Sequence, residues 1–226
     1  MNENRRLYNQ LAATYDLRQQ NPSTVLLRQN EEKLIKKYSR GLVLDLGCGT
    51  GYHLNLADNI FGLDISEKQL SIAKQSGRPL IHAEIENLPI KTNSIDTILC
   101  FYSTLNFVDL DKTAREISRI LKTGGIALIS PTSVKDADKN SKSKTKNFRL
   151  EGHRVKMELY EKSELEEKFR EYGMSLIYFN SLFRGQKARW GNFKRFSFWE
   201  KIKLKLGFLF QKENGRVYVM GFKKLL

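Results

Sequence analysis

The stretch Val43-Leu-Asp-Leu-Gly-Cys-Gly-Thr-Gly51 decides the fold that we expect for this chain of 226 residues. Its first four residues predict a short buried strand, and the glycines that follow predict a tight turn. Because glycine lacks a Cβ atom, the backbone of such a turn can approach a ligand closely. We expect a helix after Gly51, with its free N–H groups facing the same ligand.

Asp45 and the spacing of the glycines narrow the class of ligand. The spacing is G-x-G-x-G, which differs from the G-x-G-x-x-G of nicotinamide and flavin domains. A carboxylate at the end of the strand would repel a pyrophosphate and attract a cation. The stretch therefore favours a cationic ligand over a dinucleotide.

Apolar strands and helices alternate along the rest of the chain. Helical periodicity covers residues 7–38 and 110–121, and Ser66 has the position of a helix N-cap. Ser163 and Glu166 have the spacing of a capping box, which predicts a helix over 163–172. The expected strands are 42–46, 60–63, 80–81, 95–101, 126–129, 174–179 and 217–222. This alternation predicts a doubly wound α/β sheet that is mostly parallel.

The composition argues against several classes of protein. No run of about 18 apolar residues predicts a transmembrane helix. The polar N-terminus predicts no signal peptide, so a cytoplasmic location is the default expectation. Cys48 and Cys100 lie in apolar contexts, which predicts two buried free thiols and neither a disulfide nor a metal site.

Five segments of the sequence resemble the class I S-adenosylmethionine-dependent methyltransferases, over about residues 8–130. Besides the stretch quoted above, they are Tyr8-Asn-Gln-Leu-Ala-Ala-Thr-Tyr-Asp16, Glu84-Ile-Glu-Asn-Leu-Pro89, Ser94-Ile-Asp-Thr-Ile98 and Ile120-Leu-Lys-Thr-Gly-Gly125. The last segment has Thr123 where the family usually has proline. The resemblance implies a Rossmann-like, seven-stranded sheet with its last strand antiparallel, in a single domain over residues 1–226. It also implies S-adenosyl-L-methionine as the cofactor.

The resemblance further implies a set of cofactor-binding residues. The turn from Asp45 to Gly51 would bind the methionine part, and Tyr15 would cover the cofactor within a helical lid of about residues 1–40. Asp64 would hold the ribose, because one carboxylate can accept hydrogen bonds from both hydroxyls. The full expected set is Tyr15, Asp45, Gly47, Cys48, Gly49, Gly51, Asp64, Ile65, Glu84, Ile85 and Phe101, with Glu84 and Ile85 beside the adenine.

Structural explanations stay open for some of the polar and aromatic residues. Tyr15 fits a packed aromatic as well as a lid. Asp96 is typical of a strand carboxylate that bonds backbone across the sheet, and Glu86 fits a solvated or structural partner. His53, after the glycines, is expected to touch the cofactor edge or solvent.

The acceptor side carries a weaker signal. Tyr102, Ser103 and Asn106 follow the fourth strand, where ligands of open parallel sheets bind. His153 is a candidate proton acceptor, although a histidine beside Arg154 is more typical of the surface. The catalytic candidates are therefore Tyr102, Asn106 and His153. Neither an N-P-P-Y segment nor a catalytic cysteine motif is found, and the methylated atom stays open.

Positive charge is concentrated in the last part of the chain. The net charge is +14, and residues 134–226 carry 23 Lys and Arg against 11 Asp and Glu. Residues 133–149 predict a mobile basic loop. The insertion 183–215 interleaves cations with aromatic side chains, which suits RNA, an anionic membrane surface or an ordinary lid. Within it, residues 198–210 fit a helix and a strand equally.

Two classes of function follow from these patterns. The first is a methyltransferase whose acceptor is a small molecule, a lipid or a quinone-like compound, with an RNA methyltransferase as the alternative. The second is a non-catalytic RNA- or partner-binding module that retains the cofactor fold. No obligate protein partner is predicted.

Overall fold

Seven strands form one sheet around β1 (Val43–Leu46), in a computed structural model that describes residues 3–134, 144–150, 152–183 and 215–225. The other six are β2 (Ile60–Asp64), β3 (Leu80–His82), β4 (Ile95–Cys100), β5 (Leu121–Ile129), β8 (Met174–Leu182) and β9 (Val217–Lys224). Two further strands, β6 (Thr145–Leu150) and β7 (His153–Glu158), pair as a separate hairpin.

The strands follow the order β3-β2-β1-β4-β5-β9-β8. Neighbours from β3 to β5 run parallel, whereas β9 runs antiparallel to both β5 and β8. In this register Asp45 lies between Gly62 and Leu99. The predicted Rossmann-like sheet with an antiparallel last strand is confirmed.

Helices cover both faces of the sheet. They are α1 (Glu3–Leu11), α2 (Tyr15–Arg18), α3 (Pro22–Tyr38), α4 (Glu67–Ala73), α5 (Leu110–Ile120) and α6 (Lys162–Glu171). On one face, α5 and α6 bury a core in which Phe169 stacks on Phe222 with ring centroids 4.4 Å apart. On the other face, α3 and α4 pack Leu27 and Leu70 against Val43. Because side chains alternate along a strand, Asp45 points to the same face as Val43, towards α3.

The segment after the glycine turn differs from its prediction. It forms a 3₁₀ turn, Tyr52–Asn55, instead of the expected helix. Only residues 47–59 connect β1 to β2, and the glycine turn uses five of them. The remaining eight residues cannot make a helix of several turns and still return to the sheet.

Two other local predictions are wrong. Helix α6 begins at Lys162 with Glu161 as its N-cap, and Glu164 accepts the Glu161 N–H at 2.8 Å, so Ser163 is not the cap. The loop expected over 133–149 contains strand β6. An antiparallel hairpin needs only one packed face, and Val155 and Met157 of β7 supply that face. The other residues are mostly polar, so the sequence did not predict these strands.

Cys48, Cys100 and Asp96 have the surroundings that the sequence predicts. Cys48 and Cys100 are free and buried, and the Asp96 carboxylate accepts the Leu42 N–H at 2.9 Å, as its structural explanation requires. No described helix combines the length and the hydropathy needed to cross a bilayer. Over the same residues, no group of acidic, histidine and cysteine side chains is arranged to hold a metal ion.

Some of the predicted segments lie outside the described residues. They are residues 135–143 of the expected basic loop and residues 184–214 of the expected insertion, including 198–210.

Candidate functional site

Two adjoining cavities open at the carboxyl ends of β1, β2 and β4, the edge where parallel sheets place their ligands. Tyr15, Gly47, Gly49 and Tyr102 line both cavities. The first cavity extends past the ends of β2 and β3, and the second lies over the end of β1. The structure therefore gathers the cofactor residues expected from the sequence at one edge of the sheet.

The glycine turn is built from left-handed backbone and touches the segment after β4. Gly47 has φ +71°, and a Cβ atom there would lie 2.7 Å from the Thr104 side chain. Gly49 has φ +54°, a conformation that other residues adopt only with strain. Both positions therefore require glycine, for close approach at Gly47 and for conformation at Gly49.

Asp64 at the end of β2 is tied to the glycine turn. Its Oδ2 accepts the Gly49 N–H at 2.9 Å, and its Oδ1 accepts the Ser66 N–H at 2.8 Å. Burial raises the pKa of this carboxyl above its usual value, although the two backbone hydrogen bonds oppose that shift. Each oxygen has a second lone pair that can accept a hydrogen bond from a ligand in the first cavity.

The first cavity joins a polar wall to an aromatic one. The polar side contains Glu86 and four of the expected cofactor residues, Asp64, Ile65, Glu84 and Ile85. The opposite side holds Tyr8, Tyr15, Tyr102 and Phe107. Tyr8 packs edge-on against both Tyr15 and Phe107, with ring centroids 6.3 and 6.2 Å apart.

Gln69 of α4 also lines the first cavity, next to Gly49. The side chain is 1% exposed, and neither its Oε1 nor its Nε2 has a hydrogen-bond partner among the described residues. An unpaired buried amide costs roughly 1–3 kcal/mol. A group of this kind at a cavity wall is therefore available to a bound ligand.

The second cavity contains a buried acidic group. Asp45 is 1% exposed, and its Oδ2 has no hydrogen-bond partner in the described part of the chain. Arg28, Cys48, Thr50 and Phe101 line the same cavity. Gly51, expected to bind the cofactor, lines neither cavity, because it packs against Leu54 and Ala73.

His53 also lines the second cavity, where it lies buried between two carboxylates and not in solvent. Its Nε2 lies 3.3 Å from Glu31 Oε2 and its Nδ1 lies 3.7 Å from Asp45 Oδ2. Burial lowers the pKa of His53, but the carboxylates of Asp45 and Glu31 outweigh burial and raise it to about 9. The ring is therefore a buried cation at neutral pH.

The N-terminal segment covers the glycine turn. The Tyr15 ring lies 3.9 Å from the position of a Cβ atom on Gly49, and Asp16 accepts a hydrogen bond from the Thr50 hydroxyl at 2.7 Å. Burial raises the pKa of Tyr15 well above its usual value, so its hydroxyl stays neutral. These contacts place Tyr15 where a lid over a ligand would be.

Tyr102 and Ser103, after β4, both adopt left-handed backbone, with φ +57° and +64°. The Tyr102 N–H donates to the Ser130 Oγ at 2.7 Å, and the Tyr102 hydroxyl bonds to Gln19 and Thr24 of the N-terminal segment. Strained backbone persists where the surroundings hold it firmly, and it is concentrated at functional sites. Tyr102 is thus fixed from both the sheet and the lid.

The other two catalytic candidates do not face the cavities. The Asn106 amide donates to Thr132 O at 2.9 Å and to Glu158 O at 2.5 Å, and its oxygen accepts the Thr132 N–H, so it holds the hairpin to the sheet. His153 lies on β7, paired with Leu150, and lines neither cavity. Of the three, Tyr102 alone reaches these cavities.

Comparisons with known proteins identify the family. Residues 44–129 match the model of a methyltransferase domain. The chain is 31% identical over 193 residues to an uncharacterised protein of Methanocaldococcus jannaschii, over 76% of each chain. The chain belongs to the S-adenosylmethionine-dependent methyltransferases.

The chain is also similar to a solved methyltransferase structure and to a named methyltransferase. A solved S-adenosylmethionine-dependent methyltransferase of Clostridium acetobutylicum has a TM-score of 0.66 at 16% identity, over 97% of this chain and all of its own. The ubiquinone/menaquinone biosynthesis C-methyltransferase UbiE of Campylobacter jejuni is 27% identical over 142 residues. That match spans 54% of this chain and 60% of UbiE.

The residues of the methyltransferase fit its cofactor, S-adenosylmethionine. The cofactor carries a sulfonium and an ammonium group, and the Asp45 carboxylate, which lines the second cavity, offers a negative partner. Asp64 and the unpaired amide of Gln69 offer hydrogen bonds to a nucleoside in the first cavity. A dinucleotide would instead bring its pyrophosphate against Asp45.

Proposed function

We propose that this methyltransferase transfers the methyl group of S-adenosylmethionine to a small, planar, largely apolar acceptor of the phenol or quinol class. The observation that carries the proposal is the aromatic wall of the first cavity, made by Tyr8, Tyr15, Tyr102 and Phe107. Aromatic rings in a concave site favour stacked or edge-on contacts with a planar ring.

The cofactor would span both cavities. Asp64 would accept hydrogen bonds from the ribose hydroxyls, with Glu84 and Ile85 beside the adenine. Asp45 and the glycine turn would hold the amino-acid end. Tyr15, which lines both cavities, would cover the middle of the molecule and exclude water.

The bound cofactor supplies an activated methyl group, because the sulfonium is a good leaving group. The protein has to align the acceptor and exclude water. Burial raises the pKa of Tyr102 and Tyr15, so both remain neutral hydroxyls that can orient an acceptor but not deprotonate it at neutral pH. No histidine or lysine lines the first cavity among the described residues. A phenol or quinol suits a site of this composition, because its electron-rich ring is nucleophilic without prior ionisation.

The similarity to a quinone methyltransferase supports this class of acceptor. UbiE acts in ubiquinone and menaquinone biosynthesis, as its name states, and the match spans 54% of this chain. At 27% identity the similarity does not carry over the acceptor itself. The quinol class is therefore our proposal for this chain.

Turnover with labelled cofactor tests the proposal. Purified protein would be incubated with methyl-labelled S-adenosylmethionine and one acceptor at a time. The acceptors would be a short-chain demethylquinol, simple phenols, total RNA and anionic phospholipid vesicles. We expect label in the quinol or phenol fraction. Label in RNA would contradict the proposal and indicate an RNA methyltransferase. Label in the phospholipid would contradict it and indicate a lipid methyltransferase. Cofactor binding without turnover of any acceptor, cell extract included, would favour a binding module.

A matched variant separates the aromatic wall from the cofactor site. Phe107→Ala removes one acceptor-facing ring and leaves every proposed cofactor residue in place. We expect KM for the quinol or phenol to rise by about tenfold or more, as for loss of a buried aromatic contact, with the Kd of the cofactor nearly unchanged. An unchanged KM would show that the acceptor binds elsewhere.

A further inference from the structure

Glu31, His53 and Asp45 form a buried row of three charged groups, of which His53 and Asp45 line the second cavity. They come from α3, the 3₁₀ turn and β1 and are 0%, 7% and 1% exposed. The His53 ring is held between aromatic neighbours, with its centroid 5.1 Å from that of Tyr52 and 5.2 Å from that of Phe101. A ring packed on its sides and paired at both nitrogens has a single available orientation.

The charges of this row do not cancel. Two carboxylates and one imidazolium leave one negative charge. The Oδ2 atom of Asp45 lies 3.7 Å from the ring, beyond hydrogen-bond distance, and it lacks a hydrogen-bond partner within the described ranges. Glu31, in contrast, is fully engaged, because Ser130 donates to its Oε1 and His53 lies by its Oε2. Of the two carboxylates, Asp45 is therefore the one with the weaker pairing, and it is the one that lines the second cavity.

The row continues to the segment that follows β4. Ser130, which donates to Glu31, accepts the Tyr102 N–H at 2.7 Å. One path of polar contacts therefore runs from Asp45 at the end of β1 to the backbone of Tyr102. It connects the second cavity with Tyr102, the residue of left-handed backbone that also lines the first.

We propose that His53 is a positioning residue that holds the Asp45 carboxylate against the ammonium of the cofactor's amino-acid end, as a cation shared with Glu31. The proposal rests on the proposed function only for the placement of that end over Asp45. Without the shared cation, two buried carboxylates would face each other, and one would take up a proton to relieve the repulsion. Asp45 would then lose its attraction for a cationic ligand.

Other charged or titratable groups lie near the row. Arg28 and Tyr15 line the same cavity as Asp45, Tyr52 adjoins His53, and Tyr102 is linked through Ser130. Arg28 stacks on Tyr52, with its guanidinium 3.7 Å from the ring centroid. It is therefore the second cation of the cavity and would be left in place in the test.

Two ligands that share a neutral sulfur and differ only in the amino-acid end provide the test. S-adenosylhomocysteine, the demethylated cofactor, carries the ammonium, and 5′-methylthioadenosine retains the nucleoside and the sulfur without it. His53→Gln should weaken the affinity for S-adenosylhomocysteine by about tenfold or more, the range for a hydrogen bond to a charged group. Its affinity for methylthioadenosine should stay within about twofold. Calorimetry measures both, with His153→Gln on the distant hairpin as the control.

The outcomes separate this inference from the proposed function. Equal losses for the two ligands would overturn the inference, since they would mean that His53 merely supports the fold of the site. No loss for either ligand would overturn it as well. Asp45→Asn should reproduce the selective loss of S-adenosylhomocysteine affinity. If Asp45→Asn changes nothing, the proposed placement of the cofactor fails, independently of His53.

A measurement on the unmodified protein covers the case in which the His53 variant fails to fold. The chain has three histidines, so His82→Gln and His153→Gln assign the remaining imidazole in a nitrogen-correlated NMR spectrum. We expect both ring nitrogens of His53 to carry protons at pH 7.5. A neutral ring with one protonated nitrogen at that pH would overturn the proposal.

Discussion

Asp64 accepts the backbone N–H of Gly49 at 2.9 Å, so the carboxylate proposed to hold the ribose also holds the turn proposed to hold the methionine end. The second oxygen of Asp64 binds the N–H of Ser66, the N-cap of α4. One side chain therefore connects three segments of the site. This arrangement determines what its removal should do.

Asp64→Ala should weaken cofactor binding and destabilise the fold together. Loss of the hydrogen bonds to the ribose should cost roughly 1.5–3 kcal/mol of binding free energy, and two backbone N–H groups left without acceptors should cost roughly 1–3 kcal/mol of unfolding free energy. Calorimetry and urea unfolding measure the two quantities. An unchanged Kd in a folded variant would show that Asp64 does not contact the cofactor.

Asp96→Ala should separate these two effects. Asp96 accepts the Leu42 N–H at 2.9 Å and the Lys122 ammonium at 2.8 Å, at the opposite end of the sheet from the cavities. We expect a loss of unfolding free energy of about 1–2 kcal/mol and no change in cofactor Kd. A weaker Kd would mean that the far end of the sheet influences the site.

Gln69→Met should stabilise the protein in the absence of cofactor and weaken cofactor binding. The substitution keeps the volume and removes an amide that has no partner, for which burial costs roughly 1–3 kcal/mol. Thermal unfolding with and without S-adenosylmethionine measures both effects. Thr113→Val is the matched control, because the Thr113 hydroxyl is also buried and has no hydrogen-bond partner among the described residues, but it lies on α5, away from both cavities. It should raise stability without affecting affinity.

The N-terminal segment should become resistant to trypsin when the cofactor binds. Cleavage after Arg18 requires local opening of a segment that Gln19 and Thr24 tie to Tyr102, and that Asp16 ties to Thr50. A cofactor under Tyr15 would oppose that opening. We expect slower cleavage with S-adenosylmethionine and faster cleavage in Thr50→Val. Equal rates with and without cofactor would contradict a lid over residues 8–20.

The stability of the fold should fall at alkaline pH because of His53. Its pKa is raised from 6.5 to about 9 in the folded protein, so the protonated ring stabilises the fold below pH 6.5 and that stabilisation is lost as the pH rises through 9. The raised pKa corresponds to roughly 3 kcal/mol. Urea unfolding of wild type and His53→Gln between pH 6 and pH 10 tests this. Their difference in unfolding free energy should shrink as the pH rises, and a constant difference would contradict a raised pKa.

The sheet was predictable because its strands are short, apolar and separated by helix signals, with Ser66 capping α4 as expected. The hairpin β6–β7 was not, because polar residues dominate a hairpin that packs through a few side chains of one strand. A helix was wrongly predicted after Gly51, where the structure has a turn. The periodicity of the residues does not show that the connection between β1 and β2 is too short for a helix.

Within the site, the sequence indicated the glycine turn and Asp64 but not the row behind them. Glu31 and Glu32 are adjacent and chemically alike. The helical spacing does distinguish them, because Glu31 falls between Leu27 and Ile35, four residues from each, on the buried face of α3. A carboxylate on an apolar helix face predicts a buried partner, and His53 is that partner. Gln69 had a similar signal, four residues before the buried Ala73 on α4.

The contact between Gly47 and Thr104 has a consequence for engineering. A Cβ atom at Gly47 would collide with Thr104, so the turn proposed to hold the cofactor and the segment that lines the acceptor side share one wall. A larger side chain at position 104, introduced to change which acceptors bind, would press on that turn. Its first effect would be a weaker affinity for the cofactor. Libraries aimed at new acceptors should instead vary Tyr8 and Phe107, whose rings pack on each other and stand clear of the glycines.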